Sequence, residues 1–364
     1  MKKNKIKYIY AIIFIALIIP LALYAKKYYK QDNSNNIVQE QNNFNSTSKE
    51  KYKYQYDFAV LNKSFTRDLN RSLHLYESFE KYFVDAENTP FYVIVGKDEL
   101  DLFKNAFVDL KNKGTIQRMP NFMTENEVLE KCGEPDVTIQ GNWTQQVCKL
   151  CFGTLGIAKN YITIDSDTYF TKKFDKSVLF HGDIIKTWAS KKTPEQIEAD
   201  KKYKTYFPTM SCKLYQGIAI DTKLTWHDSL TFIKQFFGGN KIDEHYAFVT
   251  THQFLSSDAI NRMKNFIKNK GYNFATLIFL IPFEFQWYGE YVLQHEPFFI
   301  GEGVFSLIDN ESDCIPEEGY DVHYGVTYQA IIYLDPSRCE PGQTQCNRKE
   351  IIYKRPDHCP VLKK

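Results

Sequence analysis

From residue 56 onward the chain alternates short apolar runs with longer stretches whose apolar positions recur every three or four residues. Residues 57–61 and 90–96 are brief, β-prone and almost wholly apolar, so they read as buried strands. Between them Leu69, Leu73, Tyr76, Phe79 and Phe83 keep helical spacing, and residues 98–110 read as a second helix. Residues 114–135 are loop-rich. A further helix is expected over 144–155, with Val147, Leu150, Cys151 and Leu155 on one face, delivering the chain into a β-prone run at 161–164.

Beyond that run, residues 183–188 and 216–221 read as strands, and 191–204 as a charged, solvated helix or insertion. Helices are expected around 230–236, ending at Gly238 and Gly239, and around 259–267. Residues 273–294 are strongly apolar and aromatic; Pro282 interrupts them, and flanking charges favour a buried helix over a membrane span. Strands alternating with helices predict an α/β fold with a parallel-rich, Rossmann-like mixed sheet flanked by helices. No internal repeat is present.

The first 55 residues follow a different pattern. Residues 1–7 are basic, and 8–25 are nearly all apolar, close to the about 17–25 residues of a bilayer span. The basic flank favours a cytosolic N-terminus and a translocated body. A cleaved signal peptide is the alternative, and the lysines just beyond the apolar run favour an uncleaved anchor. Residues 26–55 are polar and read as a flexible stem. The expected plan is a tail at 1–7, an anchor at 8–25, a stem at 26–55, a catalytic domain at 56–300 and a Cys-rich extension at 301–364.

Composition changes this picture little. The composition of the whole chain is globular, 43% hydrophobic and 16% aromatic, and its net charge of +2 gives no reason to expect nucleic acid. Eight cysteines suit an oxidising compartment. Their pairing is not fixed by sequence; Cys339 and Cys346, bracketing a Pro-Gly turn, are the expected pair. Cys148 and Cys151 form a lone Cys-x-x-Cys, more simply two thiols on one helical face than a zinc site. Sequons at Asn45, Asn62, Asn70, Asn142 and Asn310 carry little weight in an Asn-rich chain.

The chemistry concentrates at Asp165-Ser-Asp167. An apolar strand ends there in two carboxylates two positions apart, which alternation points the same way. Strand ends in an open α/β sheet are where ligands bind. Paired carboxylates are a hard-oxygen site for Mn²⁺ or Mg²⁺. Asp167 is the expected direct ligand, with Asp165 on a donor ribose or on the metal through water; capping the turn is the plainer alternative. A phosphohydrolase of the haloacid-dehalogenase type would place Thr or Val where Tyr169 stands, and its motif would open the domain.

Four segments resemble, in order, a family of glycosyltransferase-like proteins of largely unassigned specificity with the GT-A fold. They are Leu61-Asn-Lys-Ser64-Phe-Thr-Arg-Asp68, Gly141-Asn-Trp-Thr-Gln145-Gln146-Val-Cys-Lys149-Leu leading to Asp165-Ser-Asp167, Phe248-Val-Thr-Thr-His252, and Phe283-Glu284-Phe-Gln286-Trp-Tyr-Gly-Glu290. The family's repeated His before the third motif is Thr251-His252 here, and an acidic position of the fourth is Gln286. The resemblance implies a GT-A-like, metal-dependent transferase using a nucleotide-sugar donor and a glycan, glycoprotein or glycolipid acceptor. It implies that Ser64 and Asp68, joined by Asp98, hold the nucleobase, and that Gln145, Gln146 and Lys149 hold sugar and diphosphate. His252 would bind donor or acceptor or complete the metal shell, with His295 and His323 as weaker ligand candidates. Glu284 is the expected general base, with Asp243 and Glu290 in reserve. A membrane-tethered carbohydrate-binding or scaffold protein that keeps the fold without turnover is the second expectation. A translocated body implies a secretory or Golgi lumen; in a bacterium the domain would lie on the inner membrane's cytoplasmic side.

Overall fold

Strand β1 (Tyr56–Lys63) is apolar from Phe58 to Leu61 and pairs in parallel on both sides, with β2 (Phe91–Val95) and β4 (Ala158–Ile164). In the computed structural model, which describes residues 52–134, 142–202, 225–240, 244–248, 252–301, 305–308 and 325–328, β1 is the centre of a five-stranded sheet. The order is β6-β4-β1-β2-β3, where β3 is Asn121–Thr124 and β6 is His252–Ser256. All pairings are parallel except β6 with β4. The chain winds outward from β1 to β3, then returns to set β4 on β1's other side. Such a reversal opens a crevice at the carboxyl ends of β1 and β4.

Helix α1 (Leu69–Tyr82) and helix α2 (Leu100–Asn112) cover one face of the sheet. Leu75, Tyr76, Phe79, Phe103 and Phe107 pack there on Phe58, Val60, Phe91 and Val93. Helices α3 (Glu125–Cys132) and α4 (Asn142–Phe152) lie on the other face, and α5 (Pro194–Asp200) is a short surface helix. Helix α6 (Trp226–Phe236) and helix α7 (Ser257–Asn269) follow, then α8 (Phe274–Leu280) and α9 (Glu284–His295). Val147, Leu150, Ile260, Met263, Trp287 and Tyr291 form that second core with Ala59, Leu61 and Leu255. A smaller sheet joins β5 (Thr168–Phe170) to β8 (Gly325–Tyr328), which pairs in turn with β7 (Phe305–Ile308).

Several expectations change. Residues 114–135 are not mainly loop: they contain β3 and α3. Thr124 and Glu127 cap α3 reciprocally, and Gly133 ends it in the left-handed region at φ 77°. The sequon at Asn62 cannot carry a glycan in this fold, because Asn62 is fully buried in β1. Cys132 and Cys151 form a disulfide between α3 and α4, and Cys148 is a buried free thiol. Pro282 separates α8 from α9, so residues 273–294 form two buried helices. Gly289 allows the close approach of α9 to Phe248, whose ring would clash with an added Cβ. The expected anchor, the strand at 216–221 and the Cys339–Cys346 pair lie outside the described residues.

Candidate functional site

β4 ends at Ile164, and the next three residues turn sharply, Thr168 N donating to Asp165 O at 3.1 Å. A fully buried Asn62 fixes this turn from the neighbouring strand. Its Nδ2 donates to Ile164 O at 3.0 Å and to Ser166 Oγ at 3.2 Å, while Ser72 Oγ of α1 donates to its Oδ1 at 2.6 Å. Ser166 Oγ also donates to Ser64 Oγ at 2.9 Å. The turn is thus tied to the end of β1 by side chains buried between the strands. From sequence, Ser72 and Ser166 have no assigned role and Asn62 is marked only as a sequon. A polar residue at the end of the apolar run 58–61 was the available signal.

Helix α4 faces the same turn. Lys149 Nζ lies 2.8 Å from Asp165 Oδ1, and Gln145 Nε2 donates to that oxygen at 3.2 Å, so the i, i+4 pair shares one carboxylate. Lys149 also pairs with Glu284 Oε1 at 3.1 Å, and its ammonium lies 4.9 Å from the Phe285 ring centre. Gln146 Oε1 accepts from Glu284 N at 3.3 Å, so it helps seat the start of α9. Burial alone would lower the Lys149 ammonium, but Asp165 and Glu284 outweigh it and raise it above its ordinary value. Burial raises the Glu284 carboxyl, against the pull of Lys149.

Asp167 has a different set of charged neighbours, Arg71 and Asp68 besides Asp165. Burial and then the nearby Asp165 push its carboxyl up to about 7, with Arg71 opposing and Asp68 adding to the rise. Arg71 is itself engaged by Asp68, at 3.1 Å. The buried Oδ1 of Asp167 has no hydrogen-bond partner among the described residues. An orphaned hard oxygen beside a second carboxylate fits a divalent cation such as Mn²⁺ or Mg²⁺. Cys132, Glu134 and Cys151 also place ligand atoms within 4.8 Å of one another. There the sulfurs are bonded to each other and Glu134 accepts from Phe274 N and Ala275 N, so that cluster is structural.

The loop after β1 is locked from three sides. Ser64 is buried and bonds Ser166; Lys63 Nζ pairs with Glu125 at 2.9 Å; and Glu99 accepts from Thr66 N and Thr66 Oγ1 at 2.7 and 2.6 Å. Burial would raise the Glu99 carboxyl, but hydrogen bonds from Thr66 and Gly96 together hold it below its ordinary value. Asp98 is exposed at the start of this turn, so its neighbour Glu99 makes the contacts.

His252 opens β6 opposite Ile164, buried beside Trp188 and Phe254. Gln286 donates to Tyr246 O and accepts from Phe248 N, holding residues 246–248 against α9. Glu290 lies a turn further on, buried beside Gln286. His295 is at the far end of α9 from Glu284, roughly 16 Å along the axis, packed edge-on against Phe237 and tilted against Phe266 and Tyr291. It is removed from Asp165 and Asp167. Asp243 and His323 lie outside the described residues. The structure therefore brings together Ser64, Gln145, Gln146, Lys149, Asp165, Asp167 and Glu284, with Asp68 beside them.

A family model described as "Family of unknown function (DUF6492)" matches residues 58–296. No curated protein matches the chain. Among solved structures, the apo structure of WbbM, a bifunctional glycosyltransferase, is similar at 12% identity with a TM-score of 0.44. That alignment covers 76% of this chain and 46% of the other, so this chain spans less than half of that protein's length.

Proposed function

The chain belongs to the DUF6492 family, whose function is unknown, and we propose that it is a metal-dependent glycosyltransferase of GT-A-like architecture. It moves a sugar from a nucleotide-sugar donor to a glycan, protein or lipid acceptor. One observation carries the reading: the switch point between β1 and β4 gathers Asp165, the orphaned Asp167, and the Gln145–Lys149 face of α4 around one crevice. A parallel sheet with an antiparallel strand beside β4 supports the architecture.

Asp165 and Asp167 are the residues that would hold Mn²⁺ or Mg²⁺. A cation bound there neutralises charge on the departing nucleoside diphosphate. The rigid loop at Ser64 and Asp68 positions the base end of the donor. Gln145 and Lys149 face its sugar and diphosphate, and His252 closes the crevice from β6. Glu284, buried and raised in basicity, takes the proton of the acceptor hydroxyl. Residues 8–25 anchor the protein as a single-pass type II membrane protein with the body in a secretory lumen; in a bacterium the orientation would be reversed, with the body at the inner membrane's cytoplasmic side. Among the described residues no helix is long and apolar enough to cross a membrane.

The test is Mn²⁺-dependent hydrolysis of a panel of nucleotide-sugars, with Asp167→Ala as control. Turnover falling by about 100-fold or more in the variant is expected. No hydrolysis of any nucleotide-sugar, together with no thermal shift from nucleoside diphosphate plus Mn²⁺, sinks the reading. Because Glu284 is held by Lys149, a second reading is a tethered carbohydrate-binding or scaffold protein; it predicts glycan binding with no turnover. A phosphohydrolase would instead release phosphate from simple phosphoesters.

A further inference from the structure

Lys149 places its ammonium directly on Asp165 of the candidate cation site, and it is 3% exposed. It bonds Asp165 at 2.8 Å and Glu284 at 3.1 Å. Asp68 has its own partners in Arg67 and Arg71. Asp165 is therefore claimed twice: by Lys149 now, and by any divalent cation shared with Asp167. Two positive charges added a few ångströms from a buried ammonium repel it strongly, because the surroundings screen poorly. A lysine can respond, since its compact charge sits on a flexible four-carbon stem. The Phe285 ring, its centre 4.9 Å from the ammonium, is a further attractive partner besides the two carboxylates.

Resting on the transferase reading above, we propose that Lys149 is a resident counter-cation of the Asp165–Asp167 site. It holds Asp165 before ligands arrive and passes to the donor's diphosphate when a divalent cation takes Asp165. Glu284 is its second tether and sets how strongly it leans on Asp165. The site is then built to bind cation and nucleoside diphosphate together, each improving the affinity for the other.

The signature is an inversion of sign between two ligands, read by calorimetry on the full-length protein. For Lys149→Gln, Mn²⁺ alone is expected to bind about tenfold tighter, because the competing charge is gone. Methylenediphosphonate at saturating Mn²⁺ is expected to bind about tenfold weaker, because a charge-assisted donor is lost. Glu284→Gln is the mirror image: Mn²⁺ weakens, since Lys149 then serves Asp165 alone, while the diphosphonate binds as well as before or better. If circular dichroism shows Lys149→Gln unfolded, Glu284→Gln decides, and unweakened Mn²⁺ binding overturns the proposal.

It is also overturned if both ligands weaken in Lys149→Gln, which marks a purely structural lysine, or if neither constant moves. Mn²⁺ binding to neither wild type nor variant overturns it. So does diphosphonate binding to wild type without metal, because the lysine would then replace the cation. Failure of the transferase reading is separate: it shows as no hydrolysis of any nucleotide-sugar, and the Mn²⁺ measurements stand without it.

Discussion

The two faces of the central sheet are built from different materials. On the side of α1 and α2, Phe58, Tyr76, Phe79, Phe83, Phe91, Phe107 and Phe170 interlock, and among the described residues no fully buried Lys, Asp or Glu lies there. On the side of α3, α4 and α9, the apolar packing is interrupted by buried Lys63, Lys149, Glu134, Glu284, Glu290 and Lys234. Apolar burial stabilises a fold without direction. Buried charges cost stability unless paired, and here they hold the residues around the crevice. The α1 face thus supplies a rigid floor, and the α4–α9 face supplies groups whose charge can respond to a ligand.

The sharpest way to break this division is to damage the floor. Phe79 touches Tyr76, Phe83, Phe91 and Phe170. Phe79→Ala is expected to cost about 3–5 kcal/mol in urea denaturation. Its remaining folded fraction should bind Mn²⁺ as tightly as wild type. Weakened binding in a fully folded sample would show that the aromatic face also shapes the site.

A smaller effect separates the charged face. Burial pushes the Glu290 carboxyl up to about 7, against Lys234 and hydrogen bonds from Gln294 and Gln286, from an ordinary value of 4.5. Between those values the folded chain keeps a proton that the unfolded chain has released. Stability therefore falls as pH rises through this window, by up to about 3 kcal/mol, and levels off above it. In Glu290→Gln that slope should become clearly shallower when unfolding is measured at about pH 5 and about pH 8, the remainder coming from Asp167, Glu284 and Glu134, whose carboxyls are raised as well. An unchanged slope would assign it to another group.

The smallest expected effect concerns the exception. Asn62 belongs by alternation to the α1 face, yet its amide serves the Asp165–Asp167 turn. Asn62→Ala should cost about 1–2 kcal/mol, the range for a buried hydrogen-bond network, and should weaken Mn²⁺ binding as well. Ser72→Ala removes a bond to Asn62 without touching the turn, and should lower stability with little change in Mn²⁺ affinity. Equal losses of Mn²⁺ affinity in both variants would mean the network acts only through the fold.

Much of the fold was legible beforehand. Periodicity located β1, α1, β2, α2, α4 and α7, and Pro282 marked the break between α8 and α9. Residues 114–135 were misjudged because β3 is four residues long and α3 eight, too short to show a period. Their capping box at Thr124 and Glu127 was the readable signal. β6 is not legible in the sequence because only Phe254 and Leu255 of its five residues are apolar. Of the site, the carboxylate pair at a strand end and the Gln145–Lys149 helix face were visible. Asn62, Ser72, Ser166 and Glu99 were not, because their work lies in whom they bond.

The sequence by itself determined where strands and helices run and which chemistry follows β4, since both depend on neighbours within a few residues. Only the tertiary structure decided that Asp165, Lys149 and Glu284 share one chain of ion pairs, although Lys149 and Glu284 lie on helices far apart in sequence. A repeating apolar pattern states which side of an element is buried. It does not state what that side meets, and the charge of this site depends on that meeting.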